Sequence, residues 1–196
     1  MNSRDFVLDA VRRNQPAAKP LPEVPRFERL AKDLLAGFGA ALERMGGTLA
    51  VPPAGSSLDR FLAERFPDAR VICSATREVA GTRPIAAVND PRELQDVDLG
   101  VVRAAFGVAE TGSVALSDRE FGVNALGFLP QHLVVLLDPR AIVADLHDAY
   151  GRTGFFGARY AVLMSGPSAT ADIEGVLVRG AQGIRSLTVM PVAPPV

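Results

Sequence analysis

Between Thr48 and Cys73 the chain runs through a strand-length apolar stretch, a turn, an amphipathic helix and a second apolar stretch. That order constrains the fold more than any other feature. Thr48-Leu49-Ala50-Val51 and Val71-Ile72-Cys73 read as short buried strands, and Pro52-Pro53-Ala54-Gly55 turns the chain. Ser57 then caps a helix that buries Leu58, Phe61, Leu62 and Phe66. Two strands joined through a helix are expected to form a parallel pair, because the crossover returns the chain to the end of the sheet where it began. The pattern recurs more loosely, with a strand over Ile85 to Val88, a short helix opened by Asp90 and Pro91, and a strand over Val97 to Val102. From Gly107 the character changes. Gly107 to Ser117 and Leu133 to Leu137 are strand-like, and their Gly-rich connection has no strong helical period, so antiparallel pairing is expected there. A helix is expected over Arg140 to Tyr150, burying Ile142, Val143, Leu146 and Tyr150. Strands follow at Tyr160 to Met164 and Leu187 to Val192. Ser168 to Arg179 fits neither period. The expected architecture is α/β, a mixed, mostly parallel sheet flanked by helices on both faces.

Upstream of this unit, Ser3 can cap a short helix with Phe6, Val7, Ala10 and Val11 on one face. Pro16, Pro20, Pro22 and Pro25 then exclude helix and central strand, since each lacks an amide donor and restricts the residue before it. Residues 1–25 are therefore expected to be a helical arm and linker, and 26–196 one domain. Its first element is a helix from Arg26 to Met45, ended by Gly46-Gly47. A chain of 196 residues can bury a full core without disulfides or metals. No apolar stretch reaches the ~20 residues that cross a bilayer, and no secretory h-region precedes the first helix, so a cytoplasmic protein without membrane insertion is expected. A net charge of -1, with arginine spread along the chain, gives no footprint for nucleic acid. Cys73 is the single cysteine, so one chain cannot supply a cysteine-ligated zinc or iron-sulfur site.

Two polar segments adjoin apolar runs. In Glu110-Thr111-Gly112-Ser113 the carboxylate is either a nucleophile or general base, or a turn residue or ion-pair partner; Thr111, Gly112 and Ser113 can offer donors to an anion. In Ser165 to Glu174, Gly166-Pro167 forces a turn. Ser168, Thr170 and Asp172 either cap the next element or gather amides around an anion. Asp172 and Glu174 share a face only on a strand. His132 sits at the entering end of a strand, facing a pocket or bonded to backbone, whereas His147 lies beside the buried stripe of its helix and is expected at the surface. With no His-x-x-x-His pair, a histidine metal site is not expected. Asp96 and Asp98 read as a solvated strand edge, and Arg103 and Arg119 are the arginines considered for a substrate carboxylate.

Glu110-Thr111-Gly112-Ser113, then Leu129-Pro130-Gln131-His132-Leu133-Val134-Val135, then Ser165 to Glu174 with Val178-Arg179-Gly180, together resemble the lactate utilisation protein C family, built on the LUD domain. The likeness spans roughly the last hundred residues in order. It implies a three-layer fold similar to the NagB, RpiA and CoA-transferase group. It also implies a role in oxidising L-lactate to pyruvate with two partner subunits that carry the iron-sulfur clusters, this chain binding a small organic acid and no cofactor of its own. Glu110 would be the catalytic carboxylate, by analogy with CoA transferases. Thr111, Gly112, Ser113, His132, Gly166, Ser168, Thr170 and Asp172 would bind the ligand. The chain departs from the family pattern at Ala181-Gln182-Gly183, where members commonly show His-Gly-Pro, so that imidazole is absent or its place is taken by Gln182. A non-catalytic regulatory or assembly subunit, and a free-standing acyl-CoA or sugar-phosphate enzyme of the same fold, are the alternatives.

Overall fold

The computed structural model describes residues 2–20, 22–25, 33–173 and 175–195. The strands are β1 (Thr48–Leu49), β2 (Ile72–Ser74), β3 (Arg83–Pro84), β4 (Leu99–Arg103), β5 (Phe106–Val108), β6 (Ser113–Ser117), β7 (His132–Leu137), β8 (Ile142–Val143), β9 (Ala161–Met164), β10 (Ala169–Ile173), β11 (Val176–Arg179) and β12 (Ser186–Pro191). The helices are α1 (Ser3–Arg13), α2 (Leu34–Arg44), α3 (Leu58–Arg65), α4 (Asp118–Phe121), α5 (Leu146–Tyr150) and α6 (Thr153–Phe156).

Six strands form an all-parallel sheet in the order β1-β12-β7-β4-β2-β3, so β1 and β2 run parallel but are not the expected pair: β12, β7 and β4 lie between them. Its central strands are apolar on both faces, and their side chains alternate as the pleat requires. Leu133, Val135 and Leu137 of β7, Val102 of β4, and Leu187 and Val189 of β12 enter one core. Val134, Leu136, Leu99, Val101 and Met190 enter the other, against Leu58, Phe61, Leu62 and Phe66 of α3 and the residue after it. The first core is closed by Phe38 and Leu42 of α2, Phe121 of α4, and Val114 and Leu116 of β6. β6 belongs to a second sheet, β8-β5-β6-β9, in which β5, β6 and β9 run antiparallel. The antiparallel expectation holds only inside Gly107 to Ser117, which is a hairpin rather than one strand, and not for Leu133 to Leu137, which pairs in parallel as part of β7. The far face of this sheet packs Phe106, Val108 and Ala115 against Ala149 and Phe155 of α5 and α6. The fold is mixed α/β, with a mostly parallel central sheet flanked by helices.

Several local expectations change. Asn2, not Ser3, caps α1, through a bond from the Asp5 amide. The second helix starts at Leu34, capped by Asp33; the expected start at Arg26 lies outside the described residues. Ile85–Ala87 is a 3-10 turn and not a strand. The helix expected over Arg140 to Tyr150 is divided: Ile142–Val143 pairs with β5 as β8, and only Leu146–Tyr150 is helical. Tyr150 is exposed rather than buried, and His147 is at the surface as expected. Among the described residues no helix follows Ser168. The segment forms the antiparallel hairpin β10-β11, so the reading of helix-terminal amides around an anion does not hold there.

Candidate functional site

The polar positions singled out in the sequence fall in three places. The first is the β5-β6 turn. Gly112 has φ of +65°, and a Cβ there would stand 2.5 Å from the Cα of Leu42 in α2, so only glycine fits. Gly166 has φ of +75°, and its Cβ would stand 2.9 Å from the Met45 carbonyl carbon at the end of the same helix. The two motifs thus meet against α2. A chain of hydroxyls joins them: Thr111 Oγ1 lies 2.6 Å from Ser113 Oγ, which lies 2.5 Å from Ser165 Oγ. Ser113 is buried, so these groups are satisfied by one another. Glu110 is exposed and turned elsewhere, its Oε2 accepting the Leu146 amide at 3.0 Å at the first turn of α5.

The second place is the junction between the β10-β11 hairpin and β12. The Ser168 hydroxyl donates to the Gln182 carbonyl, its amide donates to the Ile184 carbonyl, and its own carbonyl accepts from Gly180. Gln182, at the position where the family's imidazole is expected, is exposed and held to Ser168 by its backbone. Thr170 is on β10 opposite Val178, and Asp172 lies on the same strand. Glu174 lies outside the described residues.

His132 occupies the third place, at the entering edge of the parallel sheet, as the first residue of β7, flanked by Leu99 and Ser186. Its Nδ1 is 2.8 Å from Ser186 Oγ and its ring lies 5.3 Å from that of Phe66. Burial, and then the charge of Arg185, hold its pKa below the ordinary imidazole value, with Asp98 opposing. A cleft of about 360 Å³ opens here, lined by Arg65, Phe66, Asp68, Asp98, Gln131, His132 and Arg185 among others. Asp98 is more than a solvated edge: its Oδ2 accepts the amides of Arg70 and Val71 at 2.8 and 2.9 Å.

At the opposite, leaving edge the chain turns outward after β2 to β3, but after β4 it proceeds toward β7. This reversal is where open α/β sheets commonly bind ligands. Arg103 closes β4 here, with Nε 2.6 Å from Glu78 Oε1 and Nη1 3.0 Å from the Val192 carbonyl. Its Nη2 also lies 2.5 Å from Glu78 in ionic contact, yet among the described residues no acceptor lies along its N–H bonds. Arg103 is thus committed within the chain, and Arg119 is exposed on α4. Sequence reasoning missed Glu78, Arg65 and Arg185. The legible signals were a charged residue closing the run Val97 to Val102 and an arginine directly before the last strand.

The LUD domain family matches residues 63–191. The chain belongs to the LUD domain family. Among its relatives is the uncharacterized protein YkgG of Escherichia coli (strain K12), 30% identical over 106 residues, which cover 51% of this chain and 46% of that protein. The uncharacterized protein NMB1437 of Neisseria meningitidis serogroup B (strain ATCC BAA-335 / MC58) is 29% identical over 102 residues, covering 50% and 44% respectively. The chain therefore spans a little under half the length of the curated relatives it matches. The crystal structure of a DUF162 family protein from Deinococcus radiodurans, at 1.70 Å resolution, shares the fold with a TM-score of 0.57 and 18% identity, over 84% of this chain and 98% of that one. The LUD match reaches the β5-β6 turn, the His132 cleft and both β10 and β11. It leaves out α1 and α2.

Proposed function

We propose that this LUD chain is a component of an L-lactate oxidation system, in which it handles the hydroxy acid while two iron-sulfur partner subunits carry the electrons. The family match over residues 63–191 is the observation that carries this reading. Oxidation of lactate to pyruvate releases two electrons and two protons, and a chain with Cys73 as its single, buried cysteine has no thiolate set to hold a cluster. The electrons would pass to the partners and the protons to nearby bases or solvent.

Within this reading, the bond from the Leu146 amide to Glu110 favours a subunit that binds the acid over one that attacks it through a carboxylate. A nucleophile of that kind is expected to be desolvated and directed at the substrate. The test is lactate-dependent dye reduction in a mixture of the two iron-sulfur partners, with no added chain, with this chain, and with its Glu110→Gln form. The reading expects activity to require the chain. No dependence on it rejects the reading and directs the search to acyl-CoA or sugar-phosphate ligands.

A further inference from the structure

We infer that the cleft at the entering edge of the parallel sheet is a binding site for small 2-hydroxy carboxylates, with Arg185 taking the carboxylate and His132 facing the hydroxyl. The choice of acids rests on the function proposed above. The placement of the site rests on geometry alone.

Among the described residues the Arg185 and Arg65 guanidiniums have no hydrogen-bond or ion-pair partner, although both line the cleft. Several other arginines are committed, Arg83 to Asp96, Arg92 to Asp90, Arg103 to Glu78 and Arg140 to Asp138, whereas Arg65 and Arg185 are exposed and stand out by lining the cleft beside His132. A guanidinium that lines a concavity without a carboxylate of its own suits a carboxylate from outside, which it can grip through two parallel hydrogen bonds. The two acidic residues of the cleft do not fill that role. Asp98 accepts two backbone amides, and Asp68, exposed like Arg65 and Arg185, forms no ion pair with either.

His132 supplies the second contact. Ser186 occupies Nδ1, which leaves Nε2 as the ring nitrogen without a partner among the described residues. Burial and Arg185 favour the neutral ring, and a neutral imidazole can accept from a hydroxyl or donate to it according to tautomer. Strand pairing makes this geometry reproducible: Ser186 stands opposite His132, and the Arg185 amide donates to the Gln131 carbonyl at 2.8 Å. The volume of about 360 Å³ lies within the range of ligand clefts and leaves room for water or a longer acid chain against Phe66.

The chain has two histidines, so the test is a proton NMR titration of the full chain that follows the His132 ring signal, with exposed His147 as internal reference. The signals are assigned from His147→Gln, and the probes are sodium L-lactate, acetate, inorganic phosphate and chloride at matched ionic strength. The expected result is a saturable shift of His132 alone with L-lactate, a several-fold weaker response to acetate, and a roughly tenfold loss of lactate affinity in Arg185→Gln. That loss is about 1.4 kcal/mol. A His132 signal that stays still, that follows chloride as His147 does, that answers acetate and lactate alike, or that answers phosphate only, overturns the inference. Failure here with chain-dependent dye reduction intact removes the site and leaves the proposed function standing. Lactate binding here without such dependence does the reverse.

Discussion

The β5-β6 turn and the His132 cleft show the same pattern in sequence, polar side chains set against a run of buried strand residues, but the structure uses them differently. In the turn, Thr111, Ser113 and Ser165 hydrogen-bond one another, and Glu110 accepts an amide of α5. In the cleft, Nε2 of His132 and the guanidiniums of Arg65 and Arg185 have no internal partner among the described residues. A polar group that has spent its hydrogen-bonding capacity inside the fold stabilises it, whereas one that retains that capacity in a concavity can recognise a ligand. Proximity of polar residues in sequence does not distinguish the two states.

The comparison is tested most severely at Gly112. Alanine there would need a positive φ and would drive Cβ into the backbone of α2, so Gly112→Ala should cost about 3–5 kcal/mol, combining backbone strain and overpacking. Urea unfolding followed by circular dichroism would register it as a large fall in midpoint, or as failure to fold. A cost below about 1 kcal/mol would show that the turn is not pinned to the helix. Ser113→Ala comes next, at about 1–2 kcal/mol, because it leaves the half-buried hydroxyls of Thr111 and Ser165 to find other partners. The same unfolding experiment checks it, and a neutral result would mean that water takes over the bonds.

Much of the fold is legible in sequence because the central strands obey local rules. Val97 to Val102 and Leu133 to Leu137 are short apolar runs whose burial on both faces follows from a covered parallel sheet. Residues 140–150 read as one helix in sequence because Ile142, Val143, Leu146 and Tyr150 satisfy a helical spacing. Pairing of Ile142–Val143 with β5 is a tertiary contact that overrides it. Ser168 to Arg179 had no period because the hairpin it forms exposes Val176 and Leu177 and buries little. The site was half legible for a similar reason. His132 stands out as one of two histidines, whereas Arg185 joins it only through the pairing of β12 with β7, and Arg65 only through the position of α3.

The cleft makes a prediction about acidity. His132 has a lowered pKa in the folded chain, so as pH falls through about 6.5 the unfolded chain takes up a proton that the folded chain does not. Stability should therefore be full above that pH and decline as pH falls below it toward the folded value. His132→Gln should flatten that part of the curve. Asp90, Asp96 and Asp138, whose pKa values are lowered by bonds to Arg92, Arg83 and Arg140, act only at lower pH and leave this window clear. Urea midpoints between pH 8 and 5 for both forms would show it, and parallel curves would reject the cause assigned to His132.

The smallest expected effect is at Glu110, where it separates the two regions most cleanly. Glu110→Ala removes the acceptor of the Leu146 amide at an exposed helix start, a loss of about 0.5–1 kcal/mol in unfolding free energy. Glu110→Gln keeps a side-chain oxygen for that amide and removes only the charge, so its stability should lie within about 0.5 kcal/mol of the parent. If Glu110 is a helix cap, the Gln form also keeps the full lactate-dependent rate in the reconstituted mixture, while Arg185→Gln lowers the response at subsaturating lactate. The opposite pattern, a stable Glu110→Gln form without activity, would require the carboxylate charge itself. The turn would then be the reacting place despite its internal bonds, and the contrast between spent and unspent polar groups would fail for this fold.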